Sequence, residues 1–317
     1  AYSIERVFAD IRAGMPSDVE ITERRNTNLS KGLVPRLYDA WMATRRAAKV
    51  NHVTGDVHYI TYFLPKARTI LTIHDTVMVE RERGFKRALL WFFWFWLPAR
   101  RTGWMTAISE ETKIRLLSLI SFDPERVLVI PNPVSSHFES TPLPLRKGLL
   151  RLLHIGTKPN KNLERLLRAL QGMQVELTVI GRMTGAQKAL ISHYDIQCRT
   201  LEGLDDIALR NEYARADLIV FVSLDEGFGL PIVEAQASGR PVITSARTPM
   251  TEVAGDGALF VDPENAASIR DAIKRLDNDI LLCSDLVAKG AENVKRFSAK
   301  SVATAYADLY KRVDKDA

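Results

Sequence analysis

The sequence predicts an α/β protein built from two doubly wound parallel-sheet domains. Three observations predict it. A chain of 317 residues with 46% hydrophobic content is long enough to bury two cores rather than one. Short apolar strands alternate with helical stretches through the second half, as a parallel sheet covered on both faces requires. The proline-bearing polar run ESTPLPLRKG at 139–148 separates two such halves in the manner of a linker.

The elements follow from punctuation and periodicity. The chain opens AYSIERVF, already at the start of a helix. A helix over 36–49, strands over 57–60 and 68–73, a helix over 85–97, a strand over 104–108, a helix over 109–119 and a strand over 127–130 complete a first domain, 1–140. The linker is placed at 141–148. The second domain, 149–297, reads strand 149–155, helix 161–171, strand 175–180, helix 184–194, a short strand near 198–201 and helix 206–214. It continues with strand 217–223, helix 230–238 and strands 241–245 and 257–261. A terminal helical stretch occupies 298–317. In such sheets ligands gather at the carboxyl ends of the strands, so the chemistry is expected in the loops after Ile155, Ile180, Val222 and Thr244.

The most informative run is EGFGLPIVEA, residues 226–235. A strand leads into a loop holding Gly227 and Gly229, then into a helix with Pro231 in its first turn. That arrangement leaves backbone N–H groups unpaired at the positive end of a helix and suits an anion. Glycines let a phosphate oxygen approach the main chain. Glu226 and Glu234 would repel phosphate, so they are expected to face hydroxyl-rich parts of the ligand. A diphosphate flanked by two polyols is a nucleotide sugar.

This run resembles the E-x7-E motif of retaining glycosyltransferases of family 4. Similarity extends through GRPVITS and PMTEVAGDGALFVDP, and upstream to HIGTKPNKNLERLL, VLVIPNPV, TAISEET and TILTIHD. The resemblance implies the GT-B fold, two Rossmann-like domains facing a cleft, with the donor on the second and the acceptor on the first, and a last helix crossing back to the first. Family members usually open with a strand and a glycine-rich loop that helps hold the donor phosphate; with AYSIERVF in that place, either the first strand is missing or this amino terminus is unusual.

The resemblance also implies site residues. Gly156 and Lys161 keep the family's glycine-to-lysine spacing, while Thr157 stands where an arginine is usual; Lys158 or Arg182 beside Gly181 is expected to supply the second cation. Backbone groups near Arg182 and Leu204 would read the base. Lys161, the second cation and the amides of Gly227, Phe228, Gly229 and Leu230 would stabilise the departing diphosphate. Glu226 would hold sugar hydroxyls and Glu234 the ribose. His74, ending the strand TILTI, is expected to orient the donor phosphate or the acceptor hydroxyl, with Gly55, Asp56 and Asp75 on the acceptor side. The expected catalytic set is Glu226, His74 and Lys161, acting by front-side substitution.

Other chemistries lack their signatures. Asp277-Asn-Asp279 and Asp314-Lys-Asp316 spell D-x-D, but neither follows a buried strand, so no metal and no cofactor are expected. Walker, G-x-S-x-G, H-E-x-x-H and G-x-G-x-x-G patterns do not occur. Cys198 and Cys283 show no pairing or metal spacing, no apolar run would span a bilayer and no leader is expected, so the chain is placed in the cytoplasm. The net charge of +6 lies mostly in residues 1–145, with 20 Lys and Arg against 15 Asp and Glu. Without a helix-borne basic cluster or RNA-binding motif, nucleic acid is not expected as a partner; an anionic acceptor or acidic membrane surface is. The run WFFWFWL, Trp91–Leu97, flanked by Lys86, Arg87, Arg100 and Arg101, reads either as a helix buried on the sheet or as one that dips into a headgroup layer.

The expected function is metal-independent, retaining transfer of a hexose from a GDP- or UDP-sugar to a glycan or lipid-linked glycan, in bacterial surface polysaccharide synthesis on the inner face of the membrane. A nucleotide-sugar epimerase of the same fold, or a non-catalytic nucleotide-sugar-binding protein, is the alternative.

Overall fold

A computed structural model describes residues 4–25, 32–142 and 148–316. They divide into two compact units, with breaks after Pro133 and after Ser298.

The first unit carries a four-stranded parallel sheet in the order β1 (Asn51–Val53), β2 (Thr69–Ile73), β3 (Trp104–Ala107), β4 (Val127–Val129). Its strands alternate their apolar residues between two cores, as a sheet buried on both faces must. Leu71, Ile73, Met105 and Ala107 face one core with Tyr59, Phe95 and Leu116. Ile70 and Trp104 face the other, where helix Ile4–Ala13 and helix Ala299–Asp316 supply Val7, Phe8, Tyr306 and Leu309. The last helix therefore belongs to this first unit.

Two expectations change here. Residues 57–60 form no strand: His58–Phe63 is a 3-10 turn whose His58, Tyr59, Ile60 and Thr61 are all buried, a pattern no half-exposed strand can produce. The edge strand is Asn51–Val53 instead, three residues long with two of them polar, which hides it from periodicity. The boundary also moves. Residues 134–140 pack with the second unit, where Val134 N–H donates to Phe297 C=O at 2.8 Å. Within the expected linker, Arg240, almost fully buried, donates to Thr141 C=O at 2.9 Å, Pro142 C=O at 3.3 Å and Ala214 C=O at 2.8 Å. Residues 143–147 lie outside the described residues.

The second unit carries a six-stranded, all-parallel sheet in the order β10 (Leu259–Val261), β9 (Val242–Ser245), β8 (Leu218–Phe221), β5 (Leu150–Ile155), β6 (Val175–Ile180), β7 (Gln197–Leu201). Chain order runs outward from β5 to β7, then returns to β8 and runs outward the other way. The reversal between β5 and β8 is a topological switch point, and crossover loops leaving in opposite directions open a crevice at the carboxyl ends of those strands. Helix Leu163–Leu170 covers one face with Leu163, Leu166, Leu167 and Leu170 at helical spacing, against Leu152, Leu177, Val179 and Val220. Helices Ala266–Asn278 and Ile280–Asn293, not anticipated from the sequence, complete the unit. Among the described residues, no helix is long and apolar enough to cross a membrane.

Candidate functional site

The loops that follow β5 and β8 meet at the switch point. After Ile155 the chain turns at Gly156, whose φ is +95° and whose N–H donates to Ile180 C=O at 2.8 Å. A Cβ there would lie 2.7 Å from Lys161 Cγ, so glycine is required to let the lysine fold back over the loop. Pro159–Lys161 form a 3-10 turn, and Asn162, at φ +63°, ends it in the left-handed region that asparagine tolerates. The buried Asn162 side chain donates to Val222 C=O at 3.0 Å and Pro263 C=O at 2.7 Å, which anchors the turn to the β8 loop.

Lys161 Nζ reaches Glu226 Oε1 at 2.6 Å and lies 4.8 Å from the centre of the Phe221 ring. Asn160 Nδ2 donates to Asp225 C=O at 3.0 Å and lies 3.4 Å from Glu226 Oε1, while Leu224 N–H donates to Asn160 C=O at 2.7 Å. Both partners of the ion pair are largely sheltered, where the attraction between them is less screened than at the surface. A cation and a carboxylate are thus held side by side at the mouth of the switch point.

The loop 224–229 ends at Gly229, φ +107°, and helix Leu230–Ala237 begins with Pro231 in its first turn. The amides of Phe228, Gly229 and Leu230 enter no hydrogen bond among the described residues, so donors at this helix start remain available for an anion. Phe228 is buried edge-on against Phe297 at 5.6 Å and fixes the loop. Glu234 is 3% exposed, and its Oε2 accepts from Tyr213 OH at 2.5 Å. The second glutamate therefore stands deeper than the first, held by a tyrosine from helix Asp206–Arg215.

The β6 loop abuts the β5 loop: a Cβ on Gly181 would meet Thr157 Cγ2 at 3.2 Å, and Thr157 Oγ1 donates to Arg182 C=O at 2.6 Å. Lys158 and Arg182 are exposed, and Leu204 is half-buried in the loop after β7. Two supports were not read from the sequence. Gln187 Nε2 donates to Thr157 C=O and to Glu164 Oε1, both at 2.9 Å, bracing the Gly156–Lys161 loop. His154, buried in β5, bonds Val220 C=O through Nδ1 at 3.0 Å; burial, with Lys161 nearby, pushes its pKa down to about 4 and keeps it neutral. The run KPNKN around Lys161 was the available signal for Asn160 and Asn162; Gln187 and Tyr213 act across long sequence separations and leave none.

In the first unit, His74 stands at the end of β2. Its Nε2–H donates to Thr54 C=O at 2.8 Å, its ring meets Phe8 edge-on at 6.2 Å, and burial holds its pKa below the usual imidazole value. A neutral ring so bonded keeps Nδ1 as its remaining acceptor. Asp75 Oδ1 accepts from Val77 N–H at 3.1 Å at the start of the next helix, and Asp56 Oδ1 lies 3.8 Å from His58 Nε2. Gly55 lines a cavity of about 790 Å³ beside β1; Asp56 and Asp75 do not. No group of three His, Cys, Asp or Glu side chains suited to a metal occurs among the described residues.

Sequence profiles of two families match the chain, one described as "Glycosyl transferases group 1" over residues 143–293 and one as "Glycosyltransferase Family 4" over residues 10–138. The O-antigen chain mannosyltransferase RfbU of Salmonella typhimurium is 26% identical over 267 residues, covering 81% of this chain and 74% of that protein. O-antigen chain mannosyltransferase B of Escherichia coli is 29% identical over 227 residues, covering 64% of this chain and 59% of that protein, so the chain spans under two thirds of this second relative. Among solved structures, Anabaena Alr3699/HepE in complex with UDP and glucose superposes with a TM-score of 0.75 at 16% identity, over 88% of this chain and 82% of that one. At that identity the likeness concerns the fold.

Proposed function

This chain belongs to the family 4 glycosyltransferases of GT-B fold, and from that premise we propose that it moves a hexose from a GDP- or UDP-sugar to a lipid-linked glycan, with retention, in bacterial lipopolysaccharide synthesis. The observation that carries the reading is the Lys161–Glu226 pair at 2.6 Å, set beside the unpaired amides of Phe228, Gly229 and Leu230 at the β5/β8 switch point.

An incoming diphosphate competes with Glu226 for Lys161. Its oxygens accept from Lys161 Nζ and from the helix-start amides, and Arg182 or Lys158 swings in from solvent to add the cation that Thr157 does not supply. Glu226, released from the lysine, takes the hydroxyls of the donor sugar, while Glu234 on its tyrosine support takes the ribose. Lys161, the second cation and the amides together oppose the charge that grows on the departing diphosphate, which is the task a divalent metal performs elsewhere, so the reaction needs no metal. Retention follows from the roles left to the carboxylates. A double displacement needs a nucleophile about 5 Å from its acid partner; Glu226, once released from Lys161, is engaged by the sugar hydroxyls beside Asn160, and Glu234 lies buried under Tyr213, so neither is aimed at carbon. The leaving diphosphate itself takes the acceptor's proton. His74, with Nε2–H committed to Thr54, offers Nδ1 to a non-reacting hydroxyl of the acceptor.

The names of the relatives, both O-antigen chain mannosyltransferases, support mannose as the sugar and a growing O-antigen glycan as the acceptor. The test is transfer from GDP-mannose to a lipid-linked oligosaccharide, with the anomeric configuration of the product read by NMR. An α-linked mannoside formed with chelator present is the expected outcome; an inverted product, or loss of turnover with chelator, overturns retention or metal independence respectively.

A further inference from the structure

Arg240 carries a buried charge that the proposed reaction does not use. It lies between helix Leu230–Ala237 and β9, is 1% exposed, and donates from all three side-chain nitrogens. Nε reaches Tyr213 C=O at 3.0 Å, and Nη1 reaches Thr141 C=O at 2.9 Å and Gly239 C=O at 3.1 Å. Nη2 reaches Thr141 Oγ1 at 2.6 Å, Ala214 C=O at 2.8 Å and Pro142 C=O at 3.3 Å. Every one of these acceptors is neutral. The neighbouring carboxylate of Asp217 is spent on Arg151, 2.7 Å away. A buried cation is costly unless its donors are satisfied, and here carbonyl dipoles satisfy them, two of them at the negative end of helix Asp206–Arg215.

These bonds tie two helix ends together. Tyr213 and Ala214 lie in the last turn of helix Asp206–Arg215, while the main-chain N–H of Arg240 donates to Ala235 C=O at 2.9 Å and closes helix Leu230–Ala237. The first helix carries Tyr213 and the second Glu234, which meet at 2.5 Å. Phe138 packs edge-on against the Tyr213 ring at 5.3 Å, and it comes from the same stretch of chain that Arg240 grips at Thr141 and Pro142. A tyrosine so enclosed cannot swing to follow a displaced carboxylate, so the junction of the two helix ends sets where Glu234 stands.

We infer that Arg240 is a positioning residue for recognition of the donor's ribose: it touches no substrate, and it acts through Tyr213 on Glu234. Hydrogen bonds weaken steeply outside a narrow range of length and angle, so a carboxylate tells a hydroxyl from a hydrogen only while it is held in place. Lysine cannot replace the fork, because one ammonium has three donors and no fixed plane with which to serve both helix ends. The inference rests on the ribose role proposed for Glu234.

The test is isothermal titration of GDP and UDP, and of their 2′,3′-dideoxy counterparts, into the unaltered protein, Arg240→Lys, Tyr213→Phe and the double variant. The unaltered protein should prefer the ribose form of its nucleotide by about 10–100-fold, the scale of hydrogen bonds to a charged group. Arg240→Lys should lose most of that preference while binding the dideoxy form within about twofold of the unaltered protein, since Lys161 and the 228–230 amides are untouched. If Arg240 acts through Tyr213, adding Arg240→Lys to Tyr213→Phe should bring little further loss. Phe138→Leu, which loosens the same ring from the neighbouring segment, should shift the preference in the same direction and carries the test where Arg240→Lys does not fold. A ribose preference unchanged in Arg240→Lys, equal weakening of ribose and dideoxy forms, or losses that multiply in the double variant would each overturn the inference while leaving the ribose role of Glu234 standing. No preference in the unaltered protein would instead remove that role, and the inference with it.

Discussion

The two units are both parallel α/β sheets, yet they use their polar groups in opposite ways. In the second, chain order reverses between β5 and β8, and at that reversal Lys161, Glu226 and the amides of the 228–230 turn are presented together. In the first, the four described strands follow one another in sequence order without a reversal, and polar groups close on one another inside. His52 bonds Tyr310 OH at 2.8 Å and Thr72 Oγ1 at 2.6 Å, and Thr72 in turn meets Thr106 at 2.7 Å. The reversal gathers charged loop residues at one crevice, whereas polar residues within the strands of the first sheet are spent on one another.

The largest expected contrast is in turnover. Lys161→Ala or Glu226→Ala should lower kcat/KM by about 10²–10³-fold, the scale on which a preorganised charge at the reacting centre acts. His74→Ala in the first unit should cost about tenfold, since one ring nitrogen is already spent on Thr54. Equal losses measured in a steady-state transfer assay would break the comparison.

Acid should separate the units next. Burial lowers the pKa of His52 to about 3, and also lowers those of His58 and His74; the second unit has His154, lowered to about 4. Each is neutral when folded and titrates near 6.5 when unfolded. As pH falls below about 6.5 the unfolded chain binds protons that the folded one refuses, so stability present above that pH is lost progressively toward the folded values. By pH 5, His52 alone accounts for about 2 kcal/mol. Hydrogen exchange at pH 7 and pH 5 should show protection in β1–β3 falling further than in β5–β8, and His52→Gln should reduce the pH slope.

Smaller effects sharpen the second unit. Tyr213→Phe removes the hydroxyl on buried Glu234 and should destabilise by about 1–3 kcal/mol, with a raised KM for donor and little change in kcat. Gly229→Ala, at φ +107°, should cost about 1–2 kcal/mol in chemical denaturation and weaken donor binding; a stabilised variant would show that this turn is not strained for a side chain.

Much of this was legible in the sequence for definable reasons. The alternation of apolar strands and helices marked the six strands of the second sheet, because a doubly covered sheet writes near-continuous apolar runs. The phrase EGFGLPIVEA carried the glycine turn, the helix start and both glutamates because they are local. Illegible were contacts made across the chain: Asn160 on Asp225, Gln187 on Thr157 and Tyr213 on Glu234 lie 65, 30 and 21 residues apart. Strand Asn51–Val53 was too short to show a period.

Isothermal titration of GDP-mannose and UDP-glucose into the protein and its Lys161→Ala variant tests the pocket at the strand reversal most directly. One donor should bind the unaltered protein with 1:1 stoichiometry and lose at least tenfold in affinity when Lys161 is replaced, as removal of a charge-assisted contact to phosphate requires. Binding of neither donor, or equal affinity in the two proteins, would contradict the placement of the diphosphate between Lys161 and the helix that follows Gly229.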